Sequence, residues 1–242
     1  MTMRRKSAVS VLALALALSS AWAQSAPQQF KLKPLRPVAE LRREALAATP
    51  PVESGDFLTA DLVELTRLDA TMRLDIHYAS NENFLGEPLY TQARAFLQRP
   101  AAEALVRVNQ RLHQQGLGLL IFDAYRPWYV TRIFWEATPP SLHEFVAKPK
   151  QGSRHNRGCA VDLTLFDLKT GQPLPMPSGY DEMSERANSN YTGDTDTERA
   201  NRDRLRRAME VEGFTIFTDE WWHFDYKDWR RYRILNVPFE KL

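Results

Sequence analysis

Ser153-Arg154-His155-Asn156-Arg157-Gly158-Cys159-Ala160-Val161-Asp162 lies in the middle of this 242-residue chain and runs on into Leu163-Thr164-Leu165. Its character changes at Gly158. The residues before it are polar, and those after it form an apolar run that reads as a buried strand over 159–165. Asp162 falls inside that run, where an ionised carboxylate without a partner is costly. A metal cation would remove the cost. His155 precedes Asp162 by seven residues, and on one continuous strand an odd separation sends two side chains to opposite faces. Gly158 permits a turn or bulge that re-aims them. The stretch therefore predicts a loop carrying His155, followed by a strand carrying Asp162.

A second stretch, Glu220-Trp221-Trp222-His223, lies near the C-terminus. Together the two stretches offer two imidazoles and one carboxylate as ligands, plus a spare carboxylate three residues before the second imidazole. A catalytic zinc site uses that set: three protein ligands, an open position for water, and a base for the water's proton. A separation of three is not same-face on a flat strand, so Glu220 is expected at the bend that starts the strand. Trp221 and Trp222 are expected to add an apolar wall. The donor set alone does not fix the metal's identity.

Around these stretches the chain alternates helix and strand signals. Residues 72–78 alternate apolar and polar, as a half-buried strand does. Residues 81–88 are rich in turn formers. Ala101, Leu105, Val108 and Leu112 recur at helical spacing, with Pro100 at the start and Gly116 just past the end. Residues 117–122 read as a buried strand. Pro127 suits the first position of a helix over 128–137 that stops before Pro139-Pro140. Residues 178–197 are polar and dotted with aromatics, a long loop of the kind that often carries function. Residues 198–211 form a helix with Leu205, Ala208 and Met209 facing inward and Gly213 ending it. Residues 214–217 and 221–226 read as two further strands. Without regular βαβ spacing, the pattern predicts an α+β single domain with a central antiparallel sheet carrying the zinc site, flanked by helices.

The N-terminus reads as a secretory signal over 1–23. Arg4, Arg5 and Lys6 precede a short apolar run at 8–18, and Ala21-Trp22-Ala23 offers a cleavage site. The run is too short to span a bilayer comfortably. The protein is expected to be exported to the periplasm, with no stable membrane insertion after cleavage. Losing the signal removes three basic residues and no acid, so the 32 basic side chains fall to one fewer than the 30 acidic ones. A near-neutral chain carries no footprint for nucleic acid. Residues 24–57, with Pro27, Pro34, Pro37, Pro50 and Pro51, read as an arm or linker with a short helix at 38–47. The folded domain is expected over 58–242. The single cysteine, Cys159, excludes an internal disulfide and suits a small buried apolar role. Oligomeric state is left open.

S-x-H-x-x-G-x-A-x-D followed by E-W-W-H resembles the D-alanyl-D-alanine dipeptidase family, the VanX type, within the wider zinc D,D-peptidases. The resemblance runs over 71–239. It includes Asp75-Ile76-His77-Tyr78-Ala79-Ser80, Asn83-Phe84-Leu85-Gly86, Asp123-Ala124-Tyr125-Arg126-Pro127, and Tyr180-Asp181 within 176–185. It implies one zinc ion per chain on His155, Asp162 and His223, with Glu220 as general base and then acid. It implies Arg126 facing the scissile carbonyl, with Asp123 supporting it. It implies a pocket for a small D-amino-acid dipeptide that includes Ser153, Tyr78 and Asp181, the last pairing with the substrate ammonium. Arg126 has a second reading as a structural ion pair with Asp123.

Two other functions remain open on the sequence. One is a D,D-carboxypeptidase or endopeptidase acting on peptidoglycan stems with the same chemistry. The other is a non-catalytic zinc module that binds the wall. Glu220 and Arg126 argue against the latter, because zinc binding needs neither. His113 is expected to be solvated, His77 to lie at the surface, and His143 has no assigned role.

Overall fold

A computed structural model of the chain describes residues 29–242. The secretory signal expected at 1–23 lies outside them. In chain order the helices and strands are α1 (Val38–Ala47), β1 (Leu62–Glu64), α2 (Leu65–Leu68), β2 (Arg73–Leu74), β3 (Phe96–Gln98) and α3 (Arg99–His113). They continue as β4 (Leu117–Asp123), α4 (Trp128–Ala137), β5 (Ala160–Asp167), α5 (Asp196–Val211), β6 (Phe214–Phe217) and β7 (Glu220–Tyr226). The result is a mixed α+β domain. Among the described residues, no helix is long and apolar enough to cross a membrane.

The five-stranded sheet has the order β2-β4-β5-β7-β6. Four of its strands pair antiparallel, as expected, but β2 joins β4 in parallel, so the sheet is mixed. β1 and β3 form a separate antiparallel pair. The strand expected over 72–78 shrinks to Arg73–Leu74, and a 3-10 turn, His77–Ala79, replaces its second half. Met72, Ile76 and Tyr78 are nevertheless buried. The alternation correctly marked which side chains point inward. It could not reveal that the backbone leaves the sheet to swing Tyr78 toward the neighbouring pocket.

α3 buries Ala101, Leu105, Val108 and Leu112 on one face. Gly116, at φ 76°, takes the left-handed conformation beyond the helix end. α5 begins with a reciprocal cap in which the Thr195 side chain and Glu198 each accept from the other's backbone N–H. Its inward residues are Leu205 and Met209, with Ala208 only partly buried.

The arm expected at 24–57 is, from residue 29 onward, packed against the domain. α1 forms as predicted and lies along α4, with Val38, Leu41 and Ala45 buried. The Glu53 carboxylate accepts from the buried Arg157 guanidinium at 2.6 Å and from the Ile234 N–H at 2.7 Å. Proline and charge made this segment look like a linker. Only its partners, 80 or more positions further along in these contacts, reveal it as part of the core. We expect Leu41→Ala, which empties a fully buried site, to destabilise the protein by ~2–5 kcal/mol in denaturant titration. A change below about 0.5 kcal/mol would mean that α1 is not coupled to the cooperative unit.

Candidate metal centre and substrate pocket

The sheet register builds most of the site. Asp162 on β5 is directly opposite His223 on β7. On its other side it faces Asp123 on β4, beyond an irregularity between Ile121 and Asp123. Three adjacent strands thus put Asp123, Asp162 and His223 in one row. His155 comes from outside the sheet, on the 3-10 turn His155–Arg157. Gly158 ends that turn at φ 65°. A side chain there would strain the backbone, and its Cβ would lie 2.4 Å from Leu62 Cδ2. The turn predicted at Gly158 is thus present, and it brings His155 over Asp162.

His155 Nε2, His223 Nδ1 and Asp162 Oδ1 converge, with separations of 3.0, 2.9 and 3.3 Å. Tetrahedral ligands at ~2.0–2.1 Å from a zinc ion have edges of about 3.3 Å, so the three atoms fit such an ion closely. All three residues are buried. The rings are oriented from behind. His155 Nδ1–H donates to the Ala124 carbonyl at 2.6 Å, leaving Nε2 for a cation. His223 Nε2–H donates to Asp225 at 3.0 Å, leaving Nδ1. Asp225 in turn lies 3.3 Å from Arg154 Nε. Such outer partners fix the tautomer and raise ligand basicity.

The electrostatics match a site shaped for positive charge. Burial opposes ionisation of Asp162, but His155 and His223 hold its carboxyl well below the usual range. Burial also opposes a charged His223, yet Asp225 and Asp162 outweigh it and push its pKa up to about 10. A cation at the convergence point would take the place of that imidazolium proton.

Glu220 opens β7 where the β6–β7 register shifts, the bend expected from its spacing. Its carboxylate lies 3.6 Å from His223 Nδ1. Burial, reinforced by the charges of Asp162 and Asp181, pushes it up to about 8. Of the tryptophan pair, only Trp222 lines the cavity. Trp221 points elsewhere and donates its indole N–H to Ser178 Oγ at 2.9 Å.

Arg126 forms the structural ion pair of its second reading. Its Nε donates to Asp123 Oδ2 at 2.9 Å, so the ion pair exists. The same guanidinium reaches within 3.8 Å of Asp162 Oδ2 and lines the cavity, packed over the Phe134 ring at 4.7 Å. Asp123 also accepts from the Tyr90 hydroxyl at 2.7 Å and the Ala124 N–H at 2.9 Å. It does not line the cavity, so it takes no direct part in the pocket wall and stands behind Arg126 as the supporting residue expected from the resemblance.

The cavity measures about 130 Å³ and is lined by Tyr78, Arg126, Ser153, Asp181, Glu220 and the three candidate ligands, among others. That is well below the ~300–1,000 Å³ usual for ligand pockets. The Tyr78 hydroxyl hydrogen-bonds to Asp181, 3.0 and 2.9 Å from its two oxygens. Burial and the nearby Asp162 push Asp181 up to about 7. Ser153 Oγ accepts from the His155 N–H at 3.2 Å.

Sequence reading missed Tyr180, whose hydroxyl donates to Asp162 Oδ2 at 2.9 Å. A tyrosine in a polar loop gives no signal of that contact. The reading missed Asp225 too, although a carboxylate two residues past His223 on a strand shares its face and was a usable signal. His77 departs from its expected surface position: its ring is half-buried, edge-on to Phe122 at 5.3 Å and to Tyr180 at 5.2 Å. His113 is also half-buried rather than solvated. His143 stacks on Trp135. Cys159 is buried, which pushes its thiol up to about 12 and suits the inert role expected of it.

Comparison with known proteins identifies the family. The Peptidase_M15 family, described as D-Ala-D-Ala dipeptidase, matches residues 58–239. The chain is 35% identical over 181 residues to D-alanyl-D-alanine dipeptidase of Escherichia coli (strain K12), covering 75% of this chain and 92% of that one. It is 37% identical over 175 residues to D-alanyl-D-alanine dipeptidase of Enterococcus faecium, covering 65% and 87%. A crystal structure of the vancomycin-resistance D,D-dipeptidase VanXYg, in complex with a D-Ala-D-Ala phosphinate analog, aligns at 20% identity with a TM-score of 0.35. That alignment covers 57% of this chain and 53% of the other, a likeness too slight to carry an argument. The family match and the two relatives carry the assignment: the chain belongs to the M15 metallopeptidases, in the D-Ala-D-Ala dipeptidase family.

Proposed function

We propose that this protein is an exported, zinc-dependent dipeptidase that hydrolyses free D-Ala-D-Ala to two D-alanines, one zinc ion serving each chain. The observation that carries the proposal is the triangle of His155 Nε2, His223 Nδ1 and Asp162 Oδ1, with a spare carboxylate, Glu220, 3.6 Å from one corner. When bound, zinc supplies a Lewis acid and lowers the pKa of its water to about 7.

The chain's own groups do the rest. Glu220 accepts a proton from the attacking water and returns it to the leaving amine. The water oxygen bonds to the carbonyl carbon, the C–N bond breaks, and no proton is left over. Arg126, held by Asp123, faces the carbonyl oxygen and stabilises the negative charge that develops there. Asp181 pairs with the substrate ammonium. That cation favours the ionised carboxylate that burial otherwise disfavours. The Ser153 hydroxyl, with backbone N–H groups, receives the carboxylate. The small cavity favours a dipeptide over a longer stem peptide. Whether the reaction recycles wall fragments or depletes the dipeptide is a matter of cellular context.

The test is D-alanine release from D-Ala-D-Ala by the zinc-loaded protein, with an N-acylated tripeptide ending in D-Ala-D-Ala run alongside. Turnover of the dipeptide alone supports the proposal. Turnover of the acylated peptide alone would reassign the protein as a wall carboxypeptidase. No turnover of either would favour a binding module. Asp181→Ala is expected to raise KM for the dipeptide by roughly tenfold or more, the scale of a charged hydrogen bond. Unchanged kinetics would remove Asp181 from the ammonium site.

A further inference from the structure

Residue 181 has an unusual backbone. Asp181 sits at φ 59°, the one non-glycine residue with positive φ among the described residues. Aspartate enters that region more readily than most side chains do, as a single residue steadied by local hydrogen bonds. The peptide that precedes it carries the Tyr180 carbonyl, and the Gln29 side-chain amide donates to that oxygen at 3.1 Å. Rotating the Tyr180–Asp181 peptide would change φ at Asp181 and break this bond. Gln29 thus ties down the plane that sets where the Asp181 carboxylate points.

Gln29 is itself anchored. Phe30 and Leu32 pack against the core. The Leu32 N–H donates to the Phe84 carbonyl at 2.9 Å, and the Leu35 N–H to the Ala137 carbonyl at 2.9 Å. Both acceptors lie close to cavity-lining residues, Phe84 itself and Phe134 one turn before Ala137 on α4. The segment then enters α1, which is buried along α4. All of this lies before residue 58, where the family match begins.

We propose that Gln29 is a positioning residue for substrate recognition: from outside the family-matched region, it holds the Tyr180–Asp181 peptide so that Asp181 meets the ammonium of a free dipeptide. The proposal rests on the ammonium-binding role of Asp181 put forward above. It makes the N-terminal segment part of the specificity apparatus, selecting dipeptides with a free amine over acylated ones.

Full-length, zinc-loaded Gln29→Met removes the donor at similar volume. KM for D-Ala-D-Ala should rise roughly three- to tenfold, the scale of one hydrogen bond, with kcat within about twofold and with melting temperature and zinc content unchanged. Preference for the free dipeptide over N-acetyl-D-Ala-D-Ala should fall in parallel. Adding Gln29→Met to Asp181→Asn should have little further effect, because the two act through one contact. An unchanged KM, or effects that simply multiply in the double variant, would overturn the inference. If Asp181→Asn alone leaves KM untouched, the ammonium reading fails on its own. The crystal structure of Gln29→Met then decides the rest: a rotated Tyr180–Asp181 peptide sustains the positioning role, and an unmoved one overturns it.

Discussion

Replacing Glu220 with alanine is expected to lower kcat by ~10²–10⁴, the usual contribution of a positioned general base and acid, while zinc stays bound. The carboxylate is 3.6 Å from a ligand atom but is not one of the three converging donors. Its loss should therefore spare the metal, which elemental analysis of the purified variant checks. KM should change little, because the group acts on the proton in flight rather than on the bound peptide. A variant that kept more than about a tenth of the wild-type kcat would sink the proton-transfer role. Loss of zinc along with activity would instead recast Glu220 as a fourth ligand.

The same residue gives a pH signature without turnover. Glu220 is pushed up to about 8 in the fold, first by burial and then by Asp162 and Asp181, against an ordinary 4.5. A folded pKa above the unfolded one means that the fold favours the protonated form. The stabilisation is complete below about 4.5 and is lost as pH rises through about 8. In metal-free protein, Glu220→Gln removes this dependence. Its melting temperature should match the wild type at pH 4 and exceed it increasingly toward pH 8. The opposite trend would mean that the carboxylate is stabilised ionised in the metal-free site.

Legibility in the sequence followed the range of the interaction. Asp162 could be found because a carboxylate within an apolar strand is locally anomalous, and Gly158 because the seven-residue spacing needed a turn. Glu220 and His223 followed from type and spacing. The helices at 38–47, 101–112, 128–137 and 198–211 were all visible from periodicity and end signals, and each is present with small changes of boundary. Contacts between distant segments left no local trace. Tyr180 reaching Asp162, Gln29 reaching Tyr180, and Glu53 reaching Arg157 join residues 18, 151 and 104 positions apart. The parallel pairing of β2 was hidden for the same reason. The two-residue strand is too short to announce its partner's direction. Asp123 stands beside Arg126, where the resemblance put it. It belongs to the site, but as the anchor of Arg126 rather than a wall of the cavity.

That anchoring makes Arg126 the other position of large effect, and it should lower activity and stability through separable causes. Arg126→Ala removes the donor expected at the carbonyl oxygen, a loss of about 2.7–4 kcal/mol in transition-state binding, or roughly 10²–10³ in kcat. It also leaves Asp123, 1% exposed, without its cation. Breaking a buried pair on one side costs ~3–5 kcal/mol. Arg126→Ala with Asp123→Asn distinguishes the two effects, because the neutral amide still accepts from Tyr90 and Ala124 while no charge is left stranded. The double variant should recover much of the lost stability in denaturant titration and none of the lost kcat. Arg126→Lys should keep the charge but lose the fork that holds Asp123 through Nε and Nη2 together, at 2.9 and 2.8 Å. It should fall between wild type and alanine in both measurements. Recovery of activity in the double variant would mean that Arg126 serves the fold alone, and the charge on the carbonyl oxygen would then need another source of stabilisation.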